Sequence, residues 1–171
     1  MKAIKSSKLI CSVSLFFLMM VRAQASTHPE PLRNLKPLNI EVVLSPAAIE
    51  TLTSGNESVE IAASWYGWPA SKRRVSAEEV GQIELGSEYV YLPAWGGQLA
   101  LMPPHLNKER LSWLRGTVYI NVNVYSSRHY WPDNLLSCDF IEGELTEIQQ
   151  HQVTLNCALI KEKQPALAIL R

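Results

Sequence analysis

A chain of 171 residues, 47% hydrophobic and 19% charged, is long enough for one domain with a substantial core. Its 16 basic and 16 acidic residues balance without a basic stripe, which argues against a nucleic-acid binder and against an electrostatic membrane binder. The charge is uneven along the chain: residues 1–25 hold Lys2, Lys5, Lys8 and Arg22 and no acid, so the remainder carries 12 basic against 16 acidic side chains, net −4.

Residues 1–25 have the three parts of a secretory signal peptide in order. Three lysines precede an apolar run from Leu9 to Val21, broken only by Ser12 and Ser14. Ala23-Gln24-Ala25 then offers small residues to signal peptidase, which predicts cleavage before Ser26. The run is too short for a membrane span, which takes about 20 apolar residues. A lipid anchor at Cys11 is disfavoured by the bulky Ile10 before it and by the apolar run after it. The expected location is periplasmic or secreted, without stable membrane insertion.

Residues 26–37 are polar and proline-broken and read as a flexible lead-in. From there the dominant period is two. Leu38, Ile40, Val42 and Leu44 alternate with Asn39, Glu41 and Val43; Val59, Ile61, Ala63 and Trp65 alternate with Glu60, Ala62 and Ser64. Ile83 to Leu85, Tyr89 to Leu92 and Gln98 to Met102 are shorter strand candidates. Thr117 to Ser126 is the clearest, with Val118, Ile120, Val122 and Val124 on one face. Leu136 to Ile141 and Val153 to Ile160 complete the set. Helical signals are short: Ser45-Pro46 opens a capped turn through Leu52, Ser76 to Val80 starts another, and Asn107 to Arg115 a third. The pattern predicts a mainly β domain over 38–160, an antiparallel β-sandwich or open barrel of about eight short strands with one or two short helices. Residues 161–171 read as a C-terminal tail in which Leu167, Ile169 and Leu170 are able to dock.

Cys138 and Cys157 remain once a signal peptide carrying Cys11 is removed. An even count in an oxidising compartment reads as a disulfide, and the spacing matches no zinc motif. The bridge would clip two neighbouring antiparallel strands and stabilise the fold by about 3 kcal/mol in the chain-entropy treatment.

The sequence carries no GxSxG, HExxH, P-loop or GxGxxG, so no catalytic residue, metal or cofactor is assigned. His28, His105, His129 and His151 lie in separate polar segments. A hydrolase would have to assemble an unrecognised pair such as His129 with Asp133 or Asp139. Asp133, Asn134, Asp139, Glu142 and Glu144 supply hard oxygen donors but lack the alternate spacing of a calcium loop.

Aromatic loops are the most distinctive feature. Trp65-Tyr66-Gly67-Trp68-Pro69 is followed by Lys72, Arg73 and Arg74; Arg128-His129-Tyr130-Trp131-Pro132 follows the longest strand; Trp95 occupies a third turn. Trp, Tyr and Arg in turns are the residues that dominate binding hot spots. The partner-binding candidates are therefore Trp65, Tyr66, Trp68, Arg73, Arg74, Arg128, Tyr130 and Trp131. Trp65 also keeps strand parity with Val59 and Ile61, which suits the core equally well. A second candidate surface is the stripe Tyr119, Asn121, Asn123 and Tyr125, on the opposite face from the apolar residues of the same strand.

The stretch Ile120 to Arg128, continuing from Pro132 to Asp139, resembles small exported proteins of Gram-negative bacteria. The resemblance implies the compartment and no activity. By analogy of size and compartment alone, such domains serve as inhibitors or immunity proteins against cell-wall enzymes. The leading expectation is an exported, non-enzymatic binding protein whose partner is a cell-envelope protein, an enzyme that it inhibits. A carbohydrate or peptidoglycan-fragment binder using the same aromatics is the alternative, and the hydrolase is the third reading.

Overall fold

The computed structural model describes residues 36–72, 81–102 and 106–170. The expected signal peptide, most of the lead-in, the turn at 76–80, His28 and His105, and the candidates Arg73 and Arg74 lie outside the described residues.

Among the described residues nine strands run in chain order: β1 (Leu38–Leu44), β2 (Val59–Gly67), β3 (Ile83–Leu92), β4 (Gly97–Leu101), β5 (Tyr119–Ser126), β6 (Leu136–Cys138), β7 (Phe140–Glu144), β8 (Val153–Leu159) and β9 (Ala168–Leu170). Three short helices join them: α1 (Pro46–Ser54), α2 (Lys108–Leu111) and α3 (Leu145–Ile148). They form two sheets, ordered β4-β1-β8-β6 and β3-β2-β5-β7-β9. Alternation buries one side of each strand between the sheets, as the period of two requires. Leu38, Ile40, Val42 and Leu44 of β1 and Val153, Leu155 and Cys157 of β8 join Val59, Ile61, Ala63 and Trp65 of β2 and Ile120, Val122 and Val124 of β5 in one core. The architecture is a β-sandwich.

Most pairings are antiparallel, but β1 pairs with β8, and β7 with β9, in parallel. A parallel neighbour needs a crossover through other elements, and here the chain visits both sheets between β1 and β8. The two strand candidates at 83–85 and 89–92 are one strand, β3, with an irregular register opposite Trp65 and Tyr66. The candidate at 136–141 is two strands, because the chain crosses between sheets at Asp139. That residue is buried. One of its carboxylate oxygens accepts from the backbone and side-chain nitrogens of Asn156, the other from the Leu167 backbone N–H. This second bond leads the C-terminal segment onto β7, so the tail docks as β9 with Ile169 against the core.

Cys138 and Cys157 are direct cross-strand partners on β6 and β8 and form the expected disulfide. Ser45 caps α1 by accepting from Ala48 N–H at 3.1 Å, with Pro46 in the first turn. Its hydroxyl also donates to Glu162, which accepts from the Leu159 N–H as well.

Candidate ligand-binding face

The two aromatic loops stand at opposite ends of the sandwich. β2 and β5 are antiparallel, with Tyr66 facing Tyr119 at one end and Val59 facing Ser126 at the other. The loop after β2 therefore lies with the start of β5, and the loop after β5 lies with the start of β2. Eight residues of β2 separate them, about 24 Å of extended strand. No single small contact patch joins both.

At the first end, Trp65 is a core residue, 1% exposed, and takes no part in a surface. Strand parity put it there. Tyr66 is also buried; its ring stacks on Tyr119 at 5.7 Å and its hydroxyl donates to Glu142. Trp68 is exposed and meets both tyrosine rings edge-on, at 6.3 and 6.4 Å. Its loop is anchored from below: Arg115 N–H donates to the Trp68 carbonyl and Ala70 N–H to that of Trp113.

The second end is organised by a residue that sequence reading did not single out. Glu57 is 4% exposed, and its carboxylate accepts from the Ser127 hydroxyl and from the backbone N–H groups of His129, Tyr130 and Trp131, at 2.5 to 3.3 Å. Burial raises its pKa, but these four donors outweigh burial and hold it below the usual glutamate range. Asn134 closes the same loop by accepting from the Ser126 and Leu136 N–H groups. Trp131 is half-buried over Gly55: a Cβ at residue 55 would come within 2.2 Å of its ring. Trp131 is thus mainly a cover for the end of α1, while Tyr130 and Arg128 face solvent. Trp95, also exposed, sits at this end in the turn between β3 and β4, where Gly96 passes so close to the Val42 carbonyl that a Cβ would meet it at 2.3 Å.

Between the ends lies the outer face of the five-stranded sheet. Its register aligns residues from separate stretches of sequence. Tyr91, Glu60 and Tyr125 form one cross-strand row; Tyr89, Ala62 and Asn123 form the next. Ser87, Ser64, Asn121 and Glu142 follow, and then Glu84, Tyr66, Tyr119 and Glu144. The stripe Tyr119, Asn121, Asn123 and Tyr125 is thus the middle of a broader surface. Tyr89 and Tyr91, which sequence reading assigned only to a strand, are 63% and 60% exposed. Their alternation on β3 was the available signal.

The polar half of this face is a bonded lattice. Asn121 donates to Glu142, Asn123 to Asn121, and Tyr119 to Glu144 at 3.1 Å. Ser64, Tyr66, Gln82, Glu84, Asn121 and Glu142 line a concavity of about 440 Å³. Burial pushes the Glu142 carboxyl above its ordinary value. At the tyrosine half, the Tyr125 phenol is pushed up by burial and then by the Glu60 carboxylate and Tyr89, against a smaller opposite effect of Arg128. The Arg128 guanidinium lies 5.9 Å from the centre of the Tyr125 ring.

Of the acids considered beside His129, Asp139 has both carboxylate oxygens engaged by Asn156 and Leu167, and His129 is exposed on the Glu57-held loop. The oxygen donors considered for calcium are likewise dispersed, with Asn134 and Asp139 in structural bonds and Glu142 and Glu144 on the outer face. Among the described residues no group of three or more His, Cys, Asp or Glu side chains is placed to hold a metal ion, and no helix is long and apolar enough to cross a membrane. Compared with known proteins, the chain matches no family profile, no curated protein and no solved structure.

Proposed function

We propose that this chain is an exported, non-enzymatic binding protein, and that it binds a glycan chain along the outer face of its five-stranded sheet. The observation that carries the reading is the register that sets Tyr89, Tyr91 and Tyr125 side by side next to Asn121 and Asn123. Sugar rings present apolar C–H faces and polar edges. Exposed tyrosines stack on the former, and amides and carboxylates bond to the latter. Seven residues of β2, from Glu60 to Tyr66, give a track of about 20 Å, suited to a short oligosaccharide. The disulfide fits an oxidising compartment.

The test is calorimetric titration of the protein, purified from the periplasm of expressing cells, with cell-envelope oligosaccharides. Tyr91→Ala and Tyr125→Ala should each weaken binding about tenfold, the effect of roughly 1.4 kcal/mol of lost stacking. Unchanged affinity in both variants would remove the face from the account.

A protein partner is the second reading. It is favoured by the other end of the molecule, where Tyr130, Arg128 and Trp95 are exposed on turns held rigid from beneath by Glu57 and by the close approach at Gly96. Rigid exposed aromatics bind at low entropic cost. Capture of one cell-wall enzyme, abolished by Tyr130→Ala and Trp95→Ala but not by Tyr91→Ala, would move the site there.

A further inference from the structure

The tyrosine half of the outer face holds a carboxylate without a partner. Glu60 is 9% exposed, yet among the described residues no hydrogen bond or ion pair satisfies it. It lies in direct register between Tyr91 on one side and Tyr125 on the other, with Tyr89 diagonal to it. Its carboxylate oxygens still reach solvent at the sheet surface, and a carboxylate so largely covered gains from a counter-charge. The neighbours that bury it are aromatic rings, and aromatic ring faces attract cations. Every other carboxylate on this face bonds only to uncharged donors: Glu84 to Ser87, Glu142 to Tyr66 and Asn121, Glu144 to Tyr119. The Arg128 guanidinium lies over the ring of Tyr125, the direct cross-strand neighbour of Glu60, without forming an ion pair to Glu60. Among the described residues the carboxylates of this face therefore have no ion-pair partner, and Glu60, the most buried of them, is walled by tyrosines.

We infer that Glu60 with Tyr89, Tyr91 and Tyr125 forms a subsite for an organic ammonium group, so that the glycan bound along this face is one bearing free amines. The inference rests on the glycan reading for the ligand's scaffold, but the ammonium subsite stands on its own geometry. An amine seated there meets the carboxylate head-on and the ring faces from the sides. An acetylated amine offers neither charge nor the same donors, and an acidic sugar is repelled.

The experiment compares two oligosaccharides with one backbone, a glucosamine tetramer with free amines and its fully N-acetylated counterpart, and adds tetramethylammonium as a bare probe. The expected result is at least tenfold tighter binding of the free-amine tetramer, falling with added salt. Glu60→Gln, which keeps the shape and removes the charge, should abolish that preference and leave the acetylated tetramer unaffected. Chemical shifts of Tyr91 and Tyr125 should respond to tetramethylammonium in the wild type and not in Glu60→Gln. Equal binding of the two tetramers would overturn the ammonium subsite while leaving the glycan reading intact. No binding of either tetramer, with a tetramethylammonium response that depends on Glu60, would retain the subsite and overturn the glycan; lysine-rich peptides would then be the ligand class. No response to any of the three overturns both.

Discussion

Glu57 shows how one side chain shapes a surface that it does not join. The nine-residue loop between β5 and β6 would otherwise leave several backbone N–H groups to water and sample many conformations. One carboxylate gathers three of them, together with the Ser127 hydroxyl. Arg128 at φ 55° is the residue that bends the chain into this shape. Glu57→Gln halves the acceptor capacity and removes the charge, and should cost about 2 kcal/mol in urea unfolding near neutral pH. The sign of the pH dependence follows from the lowered carboxyl pKa. The stabilisation is fully present above the unfolded value of about 4.3 and is lost as pH falls through the lower folded value. Wild type should therefore lose stability between pH 5 and the acid limit more steeply than Glu57→Gln, and parallel profiles would show that the carboxylate does not hold the loop. Glu57 was invisible in the sequence: its four donors lie some seventy residues away, and nothing local marks it.

At the scale of elements, β3 is an edge strand of the five-stranded sheet. Long edge strands invite pairing with other chains, and an inward-pointing charge is one device that discourages it. Glu88 faces inward opposite Ala63, and its Oε2 is buried without a hydrogen-bond partner. Burial raises its pKa, so its contribution to stability declines as pH rises from the unfolded carboxyl value through the raised folded one. Glu88→Leu should stabilise the monomer by about 1 kcal/mol at neutral pH and flatten this part of the profile. It should also increase self-association in sedimentation, and a variant that is neither more stable nor more associated would leave Glu88 without this role. The strands themselves were legible because alternation is a local signal. Their limits were less so: β3 reads as two pieces because Gly86 and Ser87 interrupt its apolar face, and α3 was missed because four residues carry too little period.

For the molecule as a whole, the proposed function links export, oxidation and binding. The disulfide joins β6 to β8, next to the point where the chain passes between sheets, and oxidation requires a compartment where the bond persists. Protein recovered from the periplasm should have an intact mass that begins at Ser26 and lacks two hydrogens for Cys138 and Cys157. An unprocessed N-terminus, or two free thiols, would remove export from the account. Fold class, the inward faces of most strands and the cysteine pair were determined by the sequence itself, since alternation and a two-cysteine count need no knowledge of neighbours. Which strands lie together was decided only by the tertiary structure, because sheet order and parallel pairing depend on crossovers that side-chain period does not encode. That order separated the two aromatic loops and set Tyr91, Glu60 and Tyr125, from three distant stretches of chain, into one row. A cross-strand row exists only once register is fixed, and so the candidate site emerges from the fold although each of its residues was in plain view.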